Sequence, residues 1–445
     1  MSVVNAEVGG TGSTAPPPLS RNRNYNLLWS SQVISELGQE ISFIAFPLLI
    51  LATSGSPMEM GIVAAATMIA QMVATIPGGV LADSWDRKKI MLMCEGVRAL
   101  ALGGLAVYLL FAGYSFAVVL TVAIIEGIFS AMFEPAEDAA LPRVVPRAQL
   151  SNAVARNEAR TYIAGLIGPA VGGFLFSVSR VMPFVVDAIS YLVSFVTLLF
   201  LRLPRGREQA GVTDGGELDL DEEEDEDDEG GLLDGFRWVL ADRVIRATLI
   251  WVVVSNLMFN ALAIIILAVA GEAHVGAGEI GLMMACFSAG GLLGAAVAAR
   301  LHAALGPSVI VIGFSWIAAV MTAVMALAPQ GIMLGLILGV VAFFAPVANT
   351  SINTYQMLVT PDEYRGRLSS LVGLCGGAAG ALGPVLGGVL MSVASGSTGV
   401  LICSAGLTAV ALGATLSRTL RHFPKLSGDT TASPGPTPDK HGGMP

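Results

Sequence analysis

The chain has 445 residues, of which 54% are hydrophobic and 13% charged, and its mean hydropathy is +0.71. A water-soluble chain carries roughly 25% charged residues, so a soluble enzyme is excluded, and the apolar content instead matches about twelve spans of about 20 residues. The net charge of −10 is local: residues 217–229 hold eleven of the 34 acids and no base, and without them the balance is +1, which leaves no basic excess for nucleic acid.

Residues 1–25 are polar and contain Pro and Gly but no apolar run, so they read as a disordered cytoplasmic N-terminus rather than a cleaved leader. Six apolar runs follow, near 26–52, 58–82, 90–112, 115–139, 152–178 and 181–202, and compose a first six-helix bundle over 26–202. Each run is continuously apolar, whereas a spanning strand would be about 10 residues of alternating character, so helices are expected. Residues 203–243 form an acidic cytoplasmic linker that cannot bury apolar surface and repels itself, hence disordered and extended. Its last part, GLLDGFRWVLADRVIR, resembles an amphipathic interfacial helix. Six more runs, near 247–271, 279–300, 308–328, 331–356, 368–394 and 398–419, compose a second bundle over 244–420, and 421–445 is a disordered cytoplasmic tail.

The fold class expected is therefore an all-α membrane protein of twelve transmembrane helices in two pseudo-symmetric six-helix bundles. Basic residues gather on the cytoplasmic side of a membrane protein. With both termini inside, 22 of the 24 Lys and Arg fall in inner segments; Arg180 lies in an outer loop and Arg98 inside the third span. The chain is thus placed in the plasma (inner) membrane with both termini cytoplasmic. An internal repeat supports the two halves: FEPAEDAALPRVVP (133–146) is echoed by FAPVANTSINTYQMLVTP (344–361), and GLIGPAVGGFLF (165–176) by GALGPVLGGVLM (380–391). Two repeated bundles place a substrate site at their shared interface near the midplane, as in a rocking transporter. Cys94, Cys286, Cys375 and Cys403 are scattered through apolar runs and read as packing residues, with no metal site and no disulfide framework.

Between the second and third spans stands GGVLADSWDRKKIML (78–92), and the fifth span contains Gly165, Gly168, Pro169, Gly172 and Gly173. The first stretch resembles the signature loop of the major facilitator superfamily, and that resemblance implies a cytoplasmic latch of Gly79, Asp83, Arg87 and Lys88. The second resembles the antiporter motif of that superfamily, implying a hinge: Pro169 removes a backbone donor, and the glycines permit close helix approach. Together with FEPA…VP (133–146) and TPDEYRGRLSSLVG (360–373), these residues resemble the drug:proton antiporter class that includes the enterobactin exporter and macrolide efflux proteins. Many of that class carry a basic residue in span four, where this chain has Glu126-Gly127, so the class's proton route does not transfer.

Carboxylates inside spans are costly and hence functional candidates. Glu36 and Glu40 lie four residues apart on one helix face, with Gln32 a turn earlier. Two carboxylates this close resist being ionised together, which suits a proton-coupled carrier. Glu126 in span four and Asp187 in span six complete the proton-coupling candidates. Glu95 and Arg98, three apart, are expected to pair with each other, and Glu134, Glu137 and Asp138 to serve a cytoplasmic gate beside Arg143 and Arg147. The second bundle has no deep carboxylate; its cavity candidates are Asn256, Asn260, Asn349, Asn353 and Gln356, joined by Gln32 from the first.

The function expected is a proton-coupled secondary active exporter of amphiphilic small organic molecules such as drugs, antibiotics or siderophores, working by alternating access. The alternatives are an uptake carrier of the same fold, facilitative or proton-symporting, and a non-transporting receptor or scaffold. The expected partners are a small-molecule substrate, protons and membrane lipid, without nucleic acid, and the expected state is monomeric. No cofactor or ATP-binding GxxxxGK[ST] motif is present in the sequence, and the protein does not read as an enzyme.

Overall fold

The computed structural model describes residues 18–203, 242–327, 331–361 and 364–421. The described residues include twelve helices long and apolar enough to cross a membrane. They are α1 (Arg23–Thr53), α2 (Pro57–Ser84), α3 (Arg87–Phe111), α4 (Phe116–Val144), α5 (Leu150–Val178), α6 (Met182–Leu199), α7 (Arg243–Glu272), α8 (Ala277–Ala304), α9 (Pro307–Met325), α10 (Ile332–Val359), α11 (Arg365–Val393) and α12 (Gly396–Leu416). Most of the acidic linker, residues 1–17 of the N-terminus and the tail after Arg421 lie outside the described residues.

Short polar side chains start several helices by accepting from otherwise unpaired backbone N–H groups. Asn22 accepts from Tyr25 N at 3.1 Å, Ser56 from Glu59 N at 3.2 Å, and Asp242 from Val244 N and Ile245 N at 2.7 and 2.9 Å. Proline occupies the first turn of α2, α6 and α9, where its missing N–H costs nothing. Two boundaries differ from the hydropathy reading. Packed structure is present before residue 26, where Leu19 and Tyr25 are buried with Val144 and Val145. Helix α4 runs to Val144 rather than stopping near 139, since Ala136, Ala140 and Leu141 bury against the start of α1 and outweigh Pro135 and Pro142.

The halves repeat one packing scheme. In the first, α1 packs on α5 and α6, α2 on α4, and α3 on α4 and α6; in the second, α7 packs on α11 and α12, α8 on α10, and α9 on α10 and α12. Two seams join them, α2 against α11 and α5 against α8. Glycine makes both close. A Cβ on Gly61 would stand 2.3 Å from the Pro384 carbonyl oxygen, and one on Gly281 would stand 2.5 Å from that of Pro169. Outward surface is apolar: Leu100 and Phe111, for example, are 78% and 86% exposed, as expected of side chains that meet lipid.

One end of the molecule carries the Lys and Arg of the helix termini, among them Arg23, Arg87, Lys88, Arg143, Arg243, Arg300 and Arg365. The seams are shut toward the opposite end: Pro57 and Met58 lie on Gly388, Ala277 lies on Gly173, and Leu51 of α1 lies on Gly271 of α7. Toward the basic end Gly79, Gly366, Gly373 and Gly376 face open space. The close glycine contacts between the halves thus lie toward the end opposite the bases, beside a cavity of about 550 Å³ between the ends of α1, α5 and α7 and the start of α8.

Candidate functional site

Within the first half a recess of about 320 Å³ is cut between α1, α4 and α5. Its wall holds Gln32, Glu36, Gln39 and Glu40 from α1, Glu134, Glu137 and Asp138 from α4, and Glu158, Arg160 and Thr161 from α5, with Arg98 of α3 at its back. At 1.5 Å per residue, Asp138 lies about 9 Å from the basic end of its helix, Glu158 about 12 Å, Glu134 about 15 Å and Glu40 about 26 Å. The carboxyls therefore descend from the open face into the middle of the bundle.

Arg160 clamps this wall. Its Nη1 donates to Glu137 Oε1 at 2.9 Å and its Nη2 to Glu36 Oε1 at 2.7 Å, and Thr161 Oγ1 donates to the same Glu36 oxygen at 3.2 Å. Counted from sequence among the inner bases, Arg160 is in fact ten residues inside α5 and buried. Glu137 is correspondingly its partner rather than a gate residue beside Arg143 and Arg147, and Glu134 and Asp138 line the recess with it. Of the antiporter-motif residues, Gly168 and Gly172 press α5 onto α1: a Cβ on Gly168 would stand 2.3 Å from Glu40 Cβ, and one on Gly172 2.8 Å from Ile41 O. Gly173 meets α8, Pro169 offers its carbonyl to Gly281, and Gly165 faces open space.

Behind the recess is a buried polar network. Arg98, 3% exposed, donates from Nε to Glu126 Oε2 at 3.1 Å and from Nη2 to Gln39 Oε1 at 2.8 Å and to the Tyr191 hydroxyl. Tyr191 in turn donates to Glu126 Oε2 at 3.0 Å, while the guanidinium lies 4.1 Å from the centre of its ring. The expected Glu95–Arg98 pair does not form, because Glu95 points to Ser35 and Ser194, whose hydroxyls donate to its Oε1 at 2.9 and 3.0 Å. Asp187 accepts from Ser190 at 3.1 Å, close to α1 only because residue 38 is glycine; a Cβ there would fall 2.3 Å from Asp187 Oδ1. Glu95 Oε2, Glu126 Oε1 and Asp187 Oδ2 have no hydrogen-bond partner among the described residues. Of these three buried carboxyls, Glu126 alone is paired with the Arg98 guanidinium.

The second half offers amides in the matching places. Gly383 stands to Asn260 Cβ, at 2.5 Å, as Gly168 stands to Glu40, which makes Asn256 and Asn260 the counterparts of Glu36 and Glu40. Asn256 and Asn260 donate to carbonyls one turn back, those of Val252 and Asn256, both at 2.9 Å. Gln356 is buried and donates to Thr248 Oγ1 at 2.9 Å, tying α10 to α7, while Asn349 and Asn353 are exposed on α10. Of the six cavity candidates, Gln32 alone lines the recess.

The four latch candidates act inside the first half. Arg87 donates to the carbonyls of Asp83 and Trp85, at 3.1 and 3.2 Å, and Lys88 Nζ to those of Leu199 and Leu201, both at 2.8 Å. These bases complete the carbonyl ends of α2 and α6, a placement that helix dipoles favour. Asp83 is exposed and Gly79 has no neighbour within 4 Å of a Cβ position.

The sequence reading counted Arg160 as an inner base, assigned Glu137 to a gate and did not single out Tyr191. The signal for Arg160 was present: no Gly or Pro separates Leu150 from Arg160, so an arginine ten residues into that run belongs inside the helix. Nothing local, by contrast, tells that Arg98 chooses Glu126 over Glu95.

Residues 13–437 match the family described as "Transmembrane secretion effector". The chain is 28% identical over 371 residues to the multidrug efflux pump Tap of Mycolicibacterium fortuitum, covering 80% of this chain and 86% of that one. It is 28% identical over 429 residues to the enterobactin exporter EntS of Escherichia coli strain K12, covering 92% and 95%. Among solved structures it is similar to a bacterial homologue of the human lysosomal transporter Spinster in an inward-facing, unoccupied conformation, with TM-score 0.67, 16% identity and coverage of 92% and 98%. It is also similar to the nucleoside transporter NupG, with TM-score 0.66, 14% identity and coverage of 90% and 100%. At these identities the structural likeness is one of fold.

Proposed function

From the premise that this chain belongs to the transmembrane secretion effector family of the major facilitator superfamily, whose members are transporters and not enzymes, we propose that it is a proton-coupled exporter of amphiphilic small organic molecules. The basic end faces the cytoplasm of a plasma (inner) membrane, and the shape described is the cytoplasm-open state of an alternating-access cycle. Cargo enters the recess from the cytoplasm. The bundles then rock about the glycine seams at Gly168–Gly173 and Gly383–Gly388, opening the opposite face, and the loop of Gly79, Asp83, Arg87 and Lys88 latches the closed cytoplasmic side.

The observation that carries this reading is the carboxyl count of the first half. Carboxyls set inside membrane spans are costly and mark proton or ion pathways. Glu40, without an ion-pair partner among the described residues at the deep end of the recess and packed on the Gly168–Pro169 hinge, and Glu126, held by Arg98, are the proton-carrying acids; Glu36 and Asp187 support them. One proton moving down one pH unit and 100 mV supplies about 1.4 plus about 2.3 kcal/mol, enough for a several-hundredfold gradient.

Everted membrane vesicles test this. Acidifying the lumen drives accumulation of an amphiphilic dye, from a set of cationic rhodamine 6G, neutral Nile red and anionic fluorescein, only if efflux is coupled to protons. Accumulation that survives collapse of the proton gradient, or no accumulation of any dye above that of vesicles lacking the protein, contradicts the proposal.

A further inference from the structure

We propose that the cavity at the end opposite the bases is a binding site for an organic anion, a carboxylate or phosphate group on an apolar body, gripped by Arg180 of the first half and His274 of the second. The cavity holds about 550 Å³, a volume that suits such a molecule, and it lies across the junction of the halves. Leu48, Phe176 and Ile280 give it a buried apolar wall, and Arg180 and His274 are the titratable side chains among those that line it. No carboxyl is among its lining residues. The acids of the neighbouring turns are engaged elsewhere or stand outside the lining: Glu59 accepts from the Tyr114 and Ser54 hydroxyls, Glu279 accepts from Ile332 N, and Glu272 is exposed at the end of α7. The carbonyl ends of α5 and α7 border the cavity too. Backbone N–H groups return to them, Ser179 N to Leu175 O at 3.0 Å and Val275 N to Ala270 O at 2.9 Å, so they set a partial charge against the full charge of the guanidinium.

Two placements point to a ligand. Arg180 is the one Lys or Arg counted in an outer loop, and it makes no ion pair or hydrogen bond among the described residues. A guanidinium presents a fork of donors that fits a carboxylate or phosphate through two parallel bonds. His274 is the one non-glycine residue with a positive φ among the described residues, at +55°, whereas the turns after α1, α3 and α9 put Gly55, Gly113 and Gly331 in that region. Left-handed backbone costs a residue that carries a Cβ, and the imidazole recovers nothing within the fold, since it too has no side-chain partner among the described residues. Backbone strain of this kind gathers at ligand clamps. A molecule held by both side chains ties the turn after α5 to the turn after α7, and so favours the state in which this face is closed. The inference stands whichever way cargo moves.

Thermal unfolding of the purified full-length protein in a nonionic detergent tests the inference, with octyl phosphate and octanoate set against uncharged octanamide. At millimolar concentration at least one of the two anions is expected to raise the midpoint by about 3 °C and octanamide by less than about 1 °C. The Arg180→Gln, His274→Asn double variant is expected to lose that rise. Both side chains are exposed and asparagine tolerates left-handed backbone, so the fold is expected to survive. Should the double variant unfold, Arg180→Gln alone is expected to lose most of the rise and Arg180→Lys to keep part of it. Nanodiscs of phosphatidylcholine with and without phosphatidylglycerol distinguish the source of the anion. A rise with phosphatidylglycerol that depends on Arg180 and His274 assigns the site to an acidic lipid, and a rise confined to the soluble anions assigns it to an amphiphile from outside. No rise with any anion, an equal rise with octanamide, or a rise undiminished in the variants overturns the inference.

Discussion

The two halves share a packing scheme and differ in what they bury. In the first, all three ion pairs found among the described residues link α1, α3, α4 and α5. In the second, the buried side-chain cross-links among the described residues are neutral: Trp251 to Ser315 and Gln356 to Thr248. Where α1 presents Glu36 and Glu40, α7 presents Asn256 and Asn260 against the same glycine contact. A six-helix bundle of this kind therefore needs no buried charge to pack, and the charge in the first half is an addition whose desolvation cost calls for a functional return.

The largest effect that sharpens this contrast comes from breaking one member of each pair. Arg98→Leu strands Glu126 in the interior and is expected to cost about 3–5 kcal/mol, with most of it restored in the Arg98→Leu, Glu126→Leu double variant. Gln356→Leu, which breaks a neutral link, costs about 1 kcal/mol. Thermal unfolding in detergent reads all three. Equal losses for Arg98→Leu and Gln356→Leu would erase the distinction between the halves.

Space gives the next effect. Gly38→Ala pushes a methyl into Ser190 and Asp187, so α1 and α6 must separate at a cost of about 1–3 kcal/mol. Gly79→Ala meets open space and changes stability by less than about 0.5 kcal/mol. The same unfolding assay separates the two.

The most local effect lies at the end of the molecule opposite the bases. Glu59, in the first turn of α2, accepts from the Tyr114 and Ser54 hydroxyls, both at 2.6 Å, whereas its counterpart Glu279 in α8 accepts from the backbone N–H of Ile332 at 3.3 Å. Burial, helped by the hydrogen bond to Glu59, pushes the Tyr114 phenol up to about 12 from its ordinary 10.0. The folded state therefore holds this proton more tightly than the unfolded chain. The stability it contributes is complete below pH 10 and is lost as the pH rises through 12. Tyr114→Phe lowers stability by about 1 kcal/mol at neutral pH and flattens that alkaline decline. A decline of the same slope in the variant would assign it to other groups.

The twelve spans were legible from hydropathy because lipid and core demand the same apolar content on every face of a helix. The repeat was legible too, because Pro169 with its glycines and Pro384 with its glycines do the same job at two seams. Partner choice inside the first half was not. Glu95 is nearer to Arg98 in sequence, but serines on α1 and α6 claim it, and only the packing of α3 against α4 delivers Glu126. Likewise Gln356 looked like a cavity amide, and tertiary packing turned it toward Thr248.

The central claim, that the first half handles protons while the second does not, is tested most directly by separating gradient-driven accumulation from passive exchange. In everted vesicles, for whichever dye the unmodified protein moves fastest, Glu40→Gln is expected to lower accumulation driven by an acidic lumen by at least about tenfold while leaving dye-for-dye exchange without a gradient within about twofold. The counterpart variant Asn260→Ala should leave both near their original rates. Full gradient-driven accumulation in Glu40→Gln, or its loss in Asn260→Ala instead, would contradict the account.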